Sequence, residues 1–194
     1  MDGSDRVPSI SVLGTRVHAV EIPDIISKMG YWIDREHQQF HHVVNTGMHG
    51  IMEAHRDPEY RRILNSADLL APDGILVLLI TRLRGFHLRK KATGPGLMWQ
   101  FNVLANQKGY RYYLYGDTEN TLQTLKHRLN DEFPCLEVVG LHSPPFRPLT
   151  VEEDEKATTA INRAAPDVLW IGLGTPKQER WIAEHRSKLN VPVV

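Results

Sequence analysis

Four times along this chain a short apolar run ends in small or polar residues and gives way to a helical pattern: at Asn45-Thr46-Gly47, Asp73-Gly74, Gly116-Asp117-Thr118 and Gly172-Leu173-Gly174-Thr175-Pro176. Strand and helix that alternate in this way demand parallel strands joined by helical crossovers. The run Val168-Leu169-Trp170-Ile171 is apolar on both faces, as a strand covered by helices on each side must be. The expected class is therefore α/β: a Rossmann-like, mostly parallel sheet with helices on both faces, preceded by a β-hairpin formed by residues 9–13 and 15–20 around Gly14. A chain of 194 residues suits a single domain, expected over residues 9–194 after a flexible polar stretch at 1–8. Turns at the carboxyl ends of such strands all emerge at one edge, so these four are expected to line a single crevice.

Charge and composition remove several functions. Lys and Arg together number 23, as do Asp and Glu, so no global field favours nucleic acid. Arg82 and Arg84 interrupt the longest apolar run, 75–83, which reads as a buried helix rather than a membrane span. The polar start, with Asp2 and Asp5, is unlike a secretory signal, and the chain reads as cytosolic. Cys135 is the one cysteine, and Phe133-Pro134-Cys135-Leu136 suggests a buried structural thiol at a strand entry. Ten histidines occur without His-Glu-x-x-His or Cys/His spacing, so no metal site is expected. His41 and His42 stand in an expected strand at 40–44, with one of them facing the core. The last strand, 191–194, has no following helix and reads either as the mark of a truncated chain or as an edge in need of a partner, which makes self-association an expectation.

Asp73 is the first catalytic candidate, a carboxylate at a strand end; the same pattern also allows it to cap the helix from Ile75. Gly172 and Gly174 begin like a dinucleotide loop, but the third glycine is absent, and no Gly-Lys-Ser/Thr phosphate loop occurs. Helix N-termini at the four turns still suit a diphosphate, so a nucleotide or nucleotide sugar is the natural ligand. Thr175 and Gln178 have capping-box spacing, while the Gln178 amide could instead bind a sugar or phosphate. His49, one turn beyond Thr46, suits packing or capping as well as catalysis. Residues 82–91 hold the densest supply of cations, Arg82, Arg84, Arg89, Lys90 and Lys91, suited to a diphosphate or an anionic lipid head.

From Ile10 onward these residues resemble the WecG/TagA/CpsF family of bacterial glycosyltransferases (glycosyltransferase family 26). The resemblance is carried by Val12-Leu13-Gly14-Thr15, Asn45-Thr46-Gly47-Met48-His49, Ala67-Asp68-Leu69-Leu70-Ala71-Pro72-Asp73-Gly74, Thr93-Gly94-Pro95-Gly96-Leu97, Tyr115-Gly116-Asp117 and Gly172-Leu173-Gly174-Thr175-Pro176-Lys177-Gln178-Glu179. It implies an inverting, metal-independent transferase that moves a sugar of the N-acetylmannosamine, its uronic acid or glucose type from a UDP-sugar to a polyprenyl-diphosphate-linked acceptor. The implied place is the cytoplasmic face of the membrane, in cell-surface polysaccharide synthesis. Asp73 matches the family's proposed general base. Asn45, Thr46, His49, Gly74, Lys91, Thr93, Gly94, Gly116, Asp117, Gly172, Gly174, Pro176 and Gln178 match positions expected to bind substrate. Lys91 stands where the family often has arginine, and Gly96 where it often has aspartate. The family's arginine-rich C-terminal segment has no counterpart before Val194. A non-catalytic nucleotide-binding scaffold of the polysaccharide machinery is the competing expectation, with a Rossmann oxidoreductase further behind.

Overall fold

The computed structural model describes residues 7–194, and the described chain forms two compact units. Residues 1–6, to which most of the expected flexible start belongs, lie outside the described residues. The first unit takes residues up to 28 and 42–100, and the second takes 29–41 and 101–194. Eight helices and seven strands occur among the described residues, in a mixed α/β architecture that opens with an antiparallel hairpin.

In the first unit, β1 (Ser9–Val12) and β2 (Thr15–His18) form that hairpin, with Gly14 at positive φ in the turn. A parallel pair follows, β3 (Val43–Thr46) with β4 (Leu69–Pro72), in a register that sets Asn45 opposite Ala71 and Thr46 opposite Pro72. Between them run α2 (Met48–Arg56) and α3 (Pro58–Asn65). The Asp57 side chain accepts the N–H groups of Glu59 and Tyr60, which restarts the helix after α2 and contributes about 1 kcal/mol. Val12, Val17, Val44, Ile51, Tyr60, Leu64, Leu70 and Val77 make this unit's core. Strand β3 differs from expectation. It begins at Val43 and runs through Asn45 and Thr46, so these two are strand residues rather than turn residues. His41 and His42 precede it, and both are buried.

The second unit is built on the parallel sheet β6-β5-β7, from β5 (Arg111–Gly116), β6 (Glu137–His142) and β7 (Val168–Gly172). All but the first residue of β5 are buried, as suits a central strand. The connecting helices are α6 (Glu119–Glu132) and α7 (Val151–Ala164), and α8 (Lys177–His185) follows β7. Thr150 and Glu153 form a capping box at the start of α7. Two long helices, α1 (Ile22–Arg35) and α5 (Gly94–Lys108), each contribute residues to both units.

Three expectations are corrected. Residues 191–194 are not a bare edge: Val193 bridges Val168 on one side and His41 on the other, and Val191, Val193 and Val194 are buried. Cys135 is an exposed free thiol, because residues 133–136 form a turn before β6 whose Cys135 N–H donates to Asn106 Oδ1 at 2.8 Å. The helix over 75–83 forms as α4 (Ile75–Leu83), but only part of its surface is buried. Its nearly all-apolar composition conceals which face meets the core.

Candidate functional site

Strand β4 delivers Asp73 one residue beyond its end, and the Asp73 N–H donates to Thr46 O at 2.8 Å. The turn is tight. A Cβ on Gly47 would lie 2.8 Å from Asp73 O, so only glycine lets the ends of β3 and β4 approach so closely. Gly74 sits at φ +99 as the N-cap residue of α4 and supplies no side-chain cap. Asp73 therefore does not cap that helix.

Its carboxylate is instead partly buried, with the backbone N–H groups of Gly94 and Gly74 and the Lys91 charge near enough to favour its ionised form. Burial raises the Asp73 pKa above the usual carboxylate value, and Lys91 and the two N–H donors hold it down. Desolvation is the largest of these effects, and the result is a carboxylate more basic than one in water. Gly94 is the first residue of α5, so the positive end of a 15-residue helix faces the same carboxylate.

The neighbouring residues are placed by short, local bonds. Asn45 Nδ2 donates to Ala92 O at 2.7 Å, and Ala92 N–H donates to Pro72 O at 2.9 Å, which ties the segment carrying Lys91 to the strand ends. Thr93 Oγ1 accepts the Gly96 N–H at 3.2 Å and so caps α5. Thr46 is buried, whereas Lys91 and His49 are exposed. His18 supports β4 from beside: its Nδ1 accepts the Leu70 N–H at 2.9 Å. Burial above all, with Arg16, pushes the His18 pKa down to about 4, so the ring is neutral and able to accept.

The second unit brings together the other predicted residues. Gly116 and Gly172 lie opposite each other in the β5–β7 register. A Cβ on Gly116 would fall 2.3 Å from Gly172 O, and Gly116 has φ +125. Asp117 N–H donates to Gly172 O at 3.0 Å, while the Asp117 side chain is spent on the Thr118 N–H at 2.6 Å. Gly172 and Gly174 leave open space where a Cβ would stand, so a ligand could reach their backbone.

Thr175 and Gln178 do not form the expected capping box. Helix α8 begins at Lys177 with Pro176 as its N-cap residue, one position too late for that spacing. Gln178 Oε1 accepts the Gly174 N–H at 3.2 Å, and Gln178 Nε2 donates to Glu179 Oε1 at 3.1 Å. Thr175 Oγ1 donates to the same oxygen at 2.9 Å. Glu179, 1% exposed, is thus the hub of this turn, and sequence reasoning passed over it as a site residue although it closes the quoted motif. The unit also holds a cleft of about 400 Å³ whose walls include Tyr115, Leu173, Lys177, Trp181 and His185; none of the sequence-predicted residues lines it.

Among the described residues, no group of three or more His, Cys, Asp or Glu is placed to hold a metal. The arrangement around Asp73 can accept a proton beside a cation and a helix N-terminus, which is the equipment for deprotonating a hydroxyl near an anionic group.

A model of the glycosyl transferase WecG/TagA/CpsF family matches residues 10–194. Relatives described as N-acetylglucosaminyldiphosphoundecaprenol N-acetyl-beta-D-mannosaminyltransferase include one from Bacillus spizizenii, 31% identical over 134 residues, which is 69% of this chain and 50% of the relative. One from Bacillus subtilis is 29% identical over 68% of this chain and 49% of its own length. One from Staphylococcus aureus is 25% identical over 70% of this chain and 51% of its own. The match spans about half the length of these curated relatives.

Proposed function

Because the chain belongs to the WecG/TagA/CpsF glycosyltransferase family, we propose that it serves transfer of a hexosyl group, N-acetylmannosamine in the first instance, from a UDP-sugar to a polyprenyl-diphosphate-linked acceptor. The relatives named above support the sugar and the lipid-linked acceptor. The observation that carries the reading is Asp73: a carboxylate made more basic by burial, with the backbone N–H groups of Gly94 and Gly74 and the Lys91 charge nearby.

In this reading Asp73 takes the proton of the acceptor hydroxyl as that oxygen attacks the anomeric carbon. The new glycosidic bond forms on the face opposite the breaking bond to UDP, so the anomeric configuration inverts and the electron pair leaves with the diphosphate. Lys91 and the N-terminus of α5 supply positive potential for phosphate oxygens, and no metal is assigned to that task. Asn45 and Thr93 are positioning residues: one holds the Lys91 segment and the other caps α5. The turn at 172–178 is assigned to donor binding through its open glycine backbone. Peripheral association with the inner membrane face belongs to the same proposal, since the acceptor is carried by a lipid.

Calorimetric titration with UDP, using UMP, GDP and NAD as controls, tests this. The expected result is binding selective for UDP. UDP binding without turnover on a lipid-linked acceptor would favour the nucleotide-binding scaffold, and preference for NAD would remove the transferase reading.

A further inference from the structure

The helix that follows Asp73 carries a face the fold leaves bare. At about 100° per residue, Ile75, Leu76, Leu79 and Leu83 of α4 fall in one stripe roughly 100° wide. They are 58%, 56%, 43% and 86% exposed, whereas Val77, Leu78 and Thr81 on the other side are buried. A contiguous bare patch of large apolar side chains marks an interaction surface.

The surroundings of the stripe indicate what meets it. Arg82, beside Leu83, donates from Nε to Leu88 O at 2.7 Å and from a terminal nitrogen to Arg89 O at 2.9 Å, which folds the following loop back on the helix end. The Glu21 carboxylate accepts the N–H groups of Arg89 and Lys90 on the same loop. These bonds satisfy loop backbone, while the side chains of Arg84, Arg89, Lys90 and Lys91 stand exposed beyond the apolar stripe. An apolar face ending in cations matches an anionic lipid surface, with the leucines entering the acyl boundary and the cations meeting phosphates. Two copies of the chain packed symmetrically through this face would bring their cations to one interface, which opposes that alternative.

We propose that α4 and residues 84–91 form a docking surface for anionic lipid headgroups. A helix of nine residues, about 14 Å long, that lies in the interfacial plane keeps both of its ends at one depth. Docking therefore sets Asp73, one residue before its N-cap, at headgroup level, where the diphosphate of a lipid-borne acceptor lies; only this last consequence rests on the proposed function.

The test is flotation of the 194-residue chain with vesicles of phosphatidylcholine, with and without phosphatidylglycerol, alongside UDP titration and sedimentation. The expected result is binding to the anionic vesicles, released by salt. Leu79→Glu/Leu83→Glu and, separately, Arg84→Glu/Lys90→Glu are each expected to lower binding at least about tenfold, with circular dichroism and UDP affinity unchanged. Absence of vesicle binding, or binding that neither variant alters, would overturn the proposal. So would a dimer that Leu79→Glu/Leu83→Glu dissociates without any vesicle binding, which would assign the face to a second copy. Vesicle binding as expected in a chain that fails to bind UDP would leave the docking surface standing and remove the functional reading.

Discussion

The turn after β4 and the turn after β7 occupy the same kind of place, the carboxyl end of a parallel strand, yet they are finished differently. After β4, burial makes the Asp73 carboxylate more basic while Lys91 and nearby backbone N–H groups favour its ionised form, and it remains able to take a proton. After β7, the polar side chains close on one another: Gln178 takes the Gly174 N–H, and Thr175 and Gln178 both donate to Glu179. The first turn poises a charge; the second holds a backbone shape. Position in an α/β sheet marks both as places for a ligand, but the local bonding decides which can perform chemistry.

The largest expected effect breaks the first turn chemically. Asp73→Asn keeps the size of the side chain but removes the proposed base, and turnover is expected to fall by about 100- to 10,000-fold, measured as sugar transfer, with UDP affinity retained. Loss of UDP binding in this variant would mean that Asp73 serves the fold or the donor instead. Gly116→Ala attacks the support of the second turn. The added Cβ meets Gly172 backbone at φ +125, so a loss of about 3 kcal/mol or more is expected in denaturant unfolding.

A smaller effect follows from His18, which fixes β4 beneath the first turn. Its folded pKa of about 4 lies below the usual 6.5, so the unfolded chain binds the proton more tightly. The stability from this group is complete above pH 6.5 and is lost as pH falls toward 4. Unfolding midpoints at pH 7 and pH 5 should show the decline, and His18→Gln should flatten it. The smallest effect belongs to the second turn: Gln178→Ala frees the Gly174 N–H and is expected to weaken UDP binding by about three- to tenfold. An unchanged affinity would restrict Gln178 to a purely structural part.

What the sequence disclosed follows the range of the forces involved. Asp73-Gly74 acts within a few residues, and the structure places it as the turn that its spacing suggests. The strand and helix alternation likewise survives, with the boundaries of β3 moved by a few residues. Residues whose setting depends on distant chain were not legible. Val193 is paired by Val168 and His41, neither of which its own neighbours reveal. In α4 nearly every residue is apolar, so periodicity could not separate the face against the core from the face against solvent. At 175–179 the capping-box spacing misled because buried Glu179 competes for the Thr175 hydroxyl and the Gln178 amide. The resemblance marked the residues of both turns, but only the bonding distinguished their parts.

The most direct test of the central claim, that ionised Asp73 is the base and Lys91 tunes it, is the pH dependence of sugar transfer in the wild-type chain and in Lys91→Ala. A carboxylate raised by burial and lowered by Lys91 predicts an acidic limb above the ordinary aspartate range. Removing Lys91 removes the lowering influence, so the limb should move to higher pH, and activity at a given acidic pH should fall further. A limb that stays in place in Lys91→Ala would contradict the account, because the group that must lose its proton would then not be the one that Lys91 faces.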